Sequence, residues 1–278
     1  MFESLSLFTY PILLGVLIAT VSSQLGVFVL TKRVVFIGVT LSQVSALGVA
    51  IALLMKWNPQ LCAIGLSVPI ALLLAFPFET TRIPRDTILG IIFIAASAFS
   101  ILVMAQSAHG LQQVKVILYG NLLFASKQDF WVSLSLLLPV LVFFLLGLRP
   151  TLFTFLDRDA AQVTGVHTAA WELAFFLVLA LVISVSTKVT GALLTFCYLV
   201  IGPAVGLLFG NRFPTTLIIS SFFGVAITLA GMALSYIKNL PTSHTIAGIA
   251  ASMLVVLLLL KFLYRLLRTH TLSNPLKD

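Results

Sequence analysis

Apolar residues run through this chain in long unbroken stretches, and polar residues fall between them in short clusters. Nine stretches are long enough to be helices crossing a hydrocarbon layer, each of about 20 residues. They cover 8–30, 34–55, 59–78, 87–107, 129–148, 169–186, 189–209, 214–236 and 245–267. The connections are short, and most carry a proline, an asparagine or a charge. Short alternating segments, the mark of a membrane barrel, do not occur. The pattern predicts an all-α, polytopic bundle of 8–9 transmembrane helices in a single domain, 1–278, with no internal repeat. The tightest join is "STKVTG" between the sixth and seventh stretches, where a re-entrant pair would lower the count. Residues 105–128 hold an apolar patch too short to span, read as a short helix at the mouth of the bundle.

Composition agrees with this picture. The chain is 60% hydrophobic and 9% charged, with a mean hydropathy of +1.16, so its solvent is the lipid bilayer. The charges are asymmetric. If the N-terminus lies outside, every arginine falls inside: Arg33, Arg82, Arg85, Arg149, Arg158, Arg212, Arg265 and Arg268. The opposite loops hold lysines alone, at Lys56, Lys115, Lys127, Lys188 and Lys238. That is the bias expected of cytoplasmic loops. The first charge is Glu3, and Lys32-Arg33 follows the first apolar run, the reverse of a cleavable signal. The net charge of +8 is spread through loops, so topology explains it and nucleic acid is not an expected partner. Cys62 and Cys197 lie inside apolar runs and read as buried small hydrophobes.

Small residues recur every fourth position at Gly38, Ser42, Ala46 and Ala50, and at Gly15, Ala19 and Ser23, which lets helices pack closely. Gly202-Pro203 interrupts the seventh stretch, where a proline removes a backbone bond. A moving hinge and a fixed bend are both open there. No carboxylate sits at the centre of a stretch, which argues against a carrier driven by protons or sodium. No GxxxxGK[ST] phosphate loop is present. If the chain transports actively, a partner supplies the energy. Of eight Asp and Glu residues, Asp157, Asp159 and Glu172 fall in one segment, "FLDRDAAQVTGVHTAAWEL". Within it, "DRDAAQVTG" predicts a short helix on the arginine side. Asp157 would be its N-cap, Asp159 would complement the helix dipole, and Gly165 would end it. Ala160 and Ala161 would leave a small face suited to docking. An ordinary solvated loop helix is the alternative.

Six segments, in order, resemble the permease subunits of bacterial ABC importers for zinc, manganese and iron. "FIGVTLSQVSALGVAIA" (36–52) is similar to F-G-D-T-L-x-H-x-x-L-x-G. "RDTILGIIFIAASAFSILV" (85–103) is similar to D-x-x-L-G-I, and "LYGNLL" (118–123) to F-G-D-x-L. "FLDRDAAQVTGV" (155–166) resembles the cytoplasmic loop that docks on the ATPase. "TKVTGALLTFCYLVIGPAVGLL" (187–208) and "LSYIKNLPTSHTI" (234–246) match two further segments. The resemblance implies a homodimer in the bacterial inner membrane, two separate ATPase subunits that hydrolyse ATP, and an extracytoplasmic substrate-binding protein. It implies no cofactor and no catalytic residue on this chain. Asp157, Arg158, Asp159, Ala160, Ala161 and Gly165 would couple it to the ATPase.

The departures from the family pattern bear on cargo. Val39 stands where the pattern has Asp, Gln43 where it has His, Asn121 and Asn239 where it has acids, and Ser243 where it has Gly. The resemblance makes Thr40, Gln43, Asn121, Asn239 and His244 the expected pathway residues, and Gln43 and Asn239 the weak metal contacts. An amide oxygen is a poor zinc ligand. Three functions remain in view: a permease for a divalent metal, a relative that moves a neutral, organic or chelated cargo, and a scaffold that keeps the partner contact without transport. An intramembrane enzyme is disfavoured, because His109, His167, His244 and His270 fall in loops or at span ends and form no spaced set.

Overall fold

The computed structural model describes residues 2–75, 84–106, 120 and 122–272. The long apolar stretches are helices: α1 (Phe2–Thr31), α2 (Val35–Met55), α3 (Pro59–Ala75), α4 (Arg85–Ala105), α5 (Lys127–Leu146), α6 (Leu148–Leu156), α7 (Arg158–Val163), α8 (Thr168–Phe209), α9 (Phe213–Lys238) and α10 (Thr242–Leu272). A 3-10 turn occupies Leu122–Phe124, and no strand occurs among the described residues. Seven of the helices are long and apolar enough to cross a membrane, and α3 is a shorter apolar helix. The chain is an all-α polytopic membrane protein. The expected mouth helix lies largely in 107–119, outside the described residues.

Local chemistry sets several boundaries. Ser126 and Asp129 form a reciprocal capping box at the start of α5, with each side chain bonded to the other's backbone N–H. Pro214 enters the first turn of α9, where its missing N–H is no loss. Asn239 ends that helix in the left-handed region, φ 52°, which asparagine tolerates better than most residues.

The sixth and seventh stretches are the expected pair of helices, run together with no loop between them. They join as α8, 42 residues long, with helical torsions interrupted at Gly191 (φ 79°, ψ 163°). Phe175, in the first limb, packs its ring 6.3 Å from that of Phe28. Leu199, in the second limb, presses its carbonyl against Gly26, so closely that a Cβ there would lie 2.2 Å away. A straight helix would separate residues 175 and 199 by roughly 36 Å. Both meet the same stretch of α1, so the chain doubles back at Gly191. These torsions fall in a region open to glycine almost alone. Ser186 carbonyl and Gly191 carbonyl are bonded by Thr190 and Thr195 hydroxyls, which also pair with each other at 2.9 Å.

The second limb is the centre of the bundle. On one side Gly26 of α1 meets Leu199 and the Pro203 ring; on another, Gly38 of α2 meets the Leu199 side chain. The small-residue stripes thus do what their spacing predicts. Gly38, Ser42, Ala46 and Ala50 are all buried, and Gly15, Ala19 and Ser23 lie along α9, whose Gly224 admits Ser23 and Ala19. Gly191 lies between the sixth and seventh stretches, whereas the bend expected at Gly202-Pro203 brings no non-helical torsion. Helical torsions continue through Gly202-Pro203, which forms the close crossing with Ser23 and Gly26. Outward faces are apolar, as lipid requires: Ile94 is 66% exposed, Phe222 75% and Ile218 69%.

Candidate functional site: two ends of one bundle

Three of the motif segments meet at the Gly191 turn. Gly120 has φ +60°, and a Cβ on it would lie 2.2 Å from the Thr190 carbonyl carbon and 2.4 Å from the Gly191 nitrogen. Ser243, at the start of α10, donates its hydroxyl to the Thr190 carbonyl at 2.9 Å. Segments 118–123, 187–208 and 234–246, far apart in sequence, therefore touch at one end of the bundle. Beside this junction a hollow of about 550 Å³ is lined by Phe8, Leu123, Phe124, Ser235, Asn239 and Thr242, among others. Ser235 and Thr242 share a hydrogen bond of 2.9 Å, and Ser235 also donates to the Leu240 carbonyl at 2.6 Å. The loop carrying Asn239 is thus tied down by its own neighbours. An apolar hollow of about 220 Å³ adjoins it through Phe8, Leu123 and Tyr236.

The expected pathway residues do not gather at one point. Asn239 is exposed and lines the hollow; His244 lies one turn into α10, half-buried, and is not among the residues lining it. Asn121 falls outside the described residues. Gln43 sits on α2, which packs on α3, α4 and α8, whereas α10 packs on α8 and α9. Val39, Gln43 and Leu47 form the half-buried stripe of a helix otherwise largely buried. The Gln43 Oε1 atom itself is enclosed with no hydrogen-bond partner among the described residues. Thr40 is removed from this stripe. It is fully buried and bonds the carbonyls of Phe36 (2.9 Å) and Leu89 (3.3 Å), in the seam with α4. Among the described residues no group of three or more His, Cys, Asp or Glu is placed to hold a metal ion.

The opposite end carries the polar island. Asp157 accepts the Ala160 N–H at 3.0 Å as the N-cap of α7. Gly165 (φ +82°) closes the helix, its N–H bonding the Gln162 carbonyl and that of Val166 the Ala161 carbonyl, each at 3.0 Å. This double closure satisfies the last carbonyls. The exposed face differs from the expected one. Ala161 is fully buried and Ala160 partly so, because they turn toward the protein. Val163, 89% exposed, stands at the surface with Asp159 and Gln162. An open hollow of about 580 Å³ lies beside it, lined by Gln162 and by Gly165 through Ala170.

Three ion pairs, at two carboxylates, escaped the sequence. Lys188, next to the Gly191 turn, bonds Asp129 at 2.8 Å. Lys32, just after α1, bonds Glu172 of α8, and Arg158 stands 4.0 Å from the same carboxylate. The available signal was scarcity: in a chain with eight acidic residues, an acid beside an apolar helix needs a cation.

A bundle of apolar helices with closely packed small residues, a polar mouth and a capped helix at the far end defines a polytopic helical membrane protein. The sequence profile of the ABC 3 transport family matches residues 5–261, and the chain belongs to that family. It is 28% identical over 239 residues to the manganese transport system membrane protein MntC of Halalkalibacterium halodurans, covering 86% of this chain and 82% of that one. It is 28% identical over 262 residues to the high-affinity zinc uptake system membrane protein ZnuB of Buchnera aphidicola, covering 92% and 98%. Its fold matches PsaBC from Streptococcus pneumoniae, solved in complex with Fab, with a TM-score of 0.82 at 20% identity over 92% and 93% of the chains.

Proposed function

We propose that this chain is the translocation subunit, one permease domain over 1–278, of an ATP-driven importer in a bacterial inner membrane. Family membership and the manganese and zinc transport named for its relatives support a divalent metal as cargo. The N-terminus and the Gly191 end face outward, and the arginine-rich end with α7 faces the cytoplasm. Two copies pair, a binding protein delivers cargo at the Gly191 end, and ATP is hydrolysed by separate subunits beneath. One observation carries the reading: a helix of six residues, capped at both ends and held to the bundle by Ala161, presents Val163 and Asp159 outward at the arginine end. An apolar side chain 89% exposed beside an open hollow suits insertion into a partner's groove. Asp157, Arg158, Ala160, Ala161 and Gly165 hold that face in shape. Gly202-Pro203 contributes close packing at the central crossing.

A second reading of the cargo has its own support. The half-open stripe of α2 offers the neutral oxygen of Gln43 beside Val39, and a bare divalent ion in low dielectric requires strong or anionic ligands. Asn239 is likewise neutral. A chelated cargo, or a passive route with selection left to the binding protein, fits these residues better than a tight site within the chain. The decisive experiment is uptake of manganese(II) and zinc(II) into proteoliposomes holding this chain, its ATPase subunits and its binding protein. ATP-dependent uptake that Val163→Arg removes, together with loss of the ATPase subunits from the purified assembly, is expected. Retained ATPase and retained uptake in that variant would refute α7 as the docking element.

A further inference from the structure

At the arginine end, Phe28 of α1 is fully buried and touches rings from four other helices. Its centroid lies 4.6 Å from Phe144 of α5, 6.3 Å from Phe155 of α6, 6.3 Å from Phe175 of α8 and 5.0 Å from Phe213 of α9. Phe155 and Phe175 meet edge to face at 4.8 Å. Such a block has few rotamers to lose and resists shear. On it rests the Lys32–Glu172 pair. The Lys32 ammonium lies 4.4 Å from the Phe155 ring centroid and 5.0 Å from that of Phe176. The two charged side chains are 17% and 15% exposed, so the pair is shielded from water and from salt screening.

The pair joins segments that would otherwise move separately. Glu172 belongs to the second turn of α8, directly after α7, and Arg158 of α7 faces its other oxygen. Lys32 belongs to a stiff turn. Its N–H bonds the Phe28 carbonyl, the Arg33 N–H bonds Leu30, and the Val34 N–H bonds Val29, at 2.9, 3.0 and 3.0 Å. Arg33 is held at φ 59°, and α2 begins two residues later. No slack separates Lys32 from the helix that carries Val39 and Gln43.

We propose that Glu172, gripped by Lys32 over the aromatic block, is the joint through which displacement of α7 reaches the start of α2 and its Gln43 stripe. This rests on the reading of α7 as the docking element. Lys32 and Glu172 are positioning residues: neither touches cargo, and both set how far α2 follows α7. Removing Lys32 leaves Glu172 facing Arg158 at 4.0 Å in a shielded site, so the two are tested as a pair.

The test uses the full assembly in proteoliposomes with binding protein and with manganese(II) or zinc(II), whichever the unaltered assembly imports. Glu172→Gln and Lys32→Gln are expected to lower ions imported per ATP hydrolysed by roughly fivefold or more, the lower edge of coupling between linked sites, with the ATPase subunits still bound. A pair that merely staples the fold would lower the unfolding midpoint and leave the ratio unchanged, which overturns the proposal. If a single variant fails to assemble, the neutral double variant Lys32→Gln/Glu172→Gln gives the same two outcomes. Val163→Arg separates the two levels. If it spares ATPase binding and uptake, the docking reading falls; if it abolishes them while the Lys32 and Glu172 variants keep the ratio, only the joint falls.

Discussion

Gly120 and Gly165 offer a controlled comparison, because both sit in the left-handed region, at φ +60° and +82°. Alanine at either position bears a conformational penalty of about 1 kcal/mol. Their surroundings differ. A Cβ on Gly165 would meet nothing within 4 Å, whereas one on Gly120 would lie 2.2 Å from the Thr190 carbonyl carbon and 2.4 Å from the Gly191 nitrogen and the Thr190 oxygen. Those atoms are backbone, at a turn tied by Thr195 and Ser243, and no side-chain rotation relieves the overlap. Overpacking of this kind adds about 1–3 kcal/mol. Gly165→Ala is therefore expected to cost about 1 kcal/mol, and Gly120→Ala roughly 2–4 kcal/mol. Equilibrium unfolding of the purified chain in detergent, followed by tryptophan fluorescence, measures both. Equal losses in the two variants would refute the claim that Gly120 is pressed against the turn.

Val39→Asp with Gln43→His places a carboxylate and an imidazole one turn apart on the half-open stripe of α2, and titration calorimetry on the purified chain should show new zinc or manganese binding. Tight stoichiometric metal in the unaltered chain, lost on Gln43→Ala, would contradict this. A cysteine at Lys127 should react with an impermeant reagent from outside and one at Arg82 only from the cytoplasmic side; equal access from both sides would overturn the assigned orientation.

Helix positions were legible because apolar length and period determine them directly. The predicted 34–55 and 214–236 differ from α2 and α9 by two residues or fewer at each end. The capped α7 was legible for a similar reason: Asp157 and Gly165 are local signals with local consequences. What escaped depended on distant contacts. The break at "STKVTG" was legible, but not that it would be a loopless turn centred on Gly191. The Gly202-Pro203 region is instead packed against Ser23 and Gly26 of α1 and Ser220 of α9. Ala160-Ala161 looked like an outward face because small residues suit docking. The six-residue length of α7 leaves its rotation to the packing of Ala161. Gln43 and Asn239 were assigned one pathway from the family pattern, while the bundle puts α8 between their helices.

The turn at Gly191 also constrains how the protein is made. The two limbs of α8 are joined by the few residues of "STKVTG" rather than by a long polar loop. In the proposed orientation Lys188 and the Thr190–Thr195 hydroxyls cross with them, and Lys188 meets Asp129 only when α5 is already in place. Insertion of the two limbs as a single helical hairpin after α5 is the expected order. A reporter spliced between residues 187 and 192 would block biogenesis, whereas the same reporter in a polar loop would not.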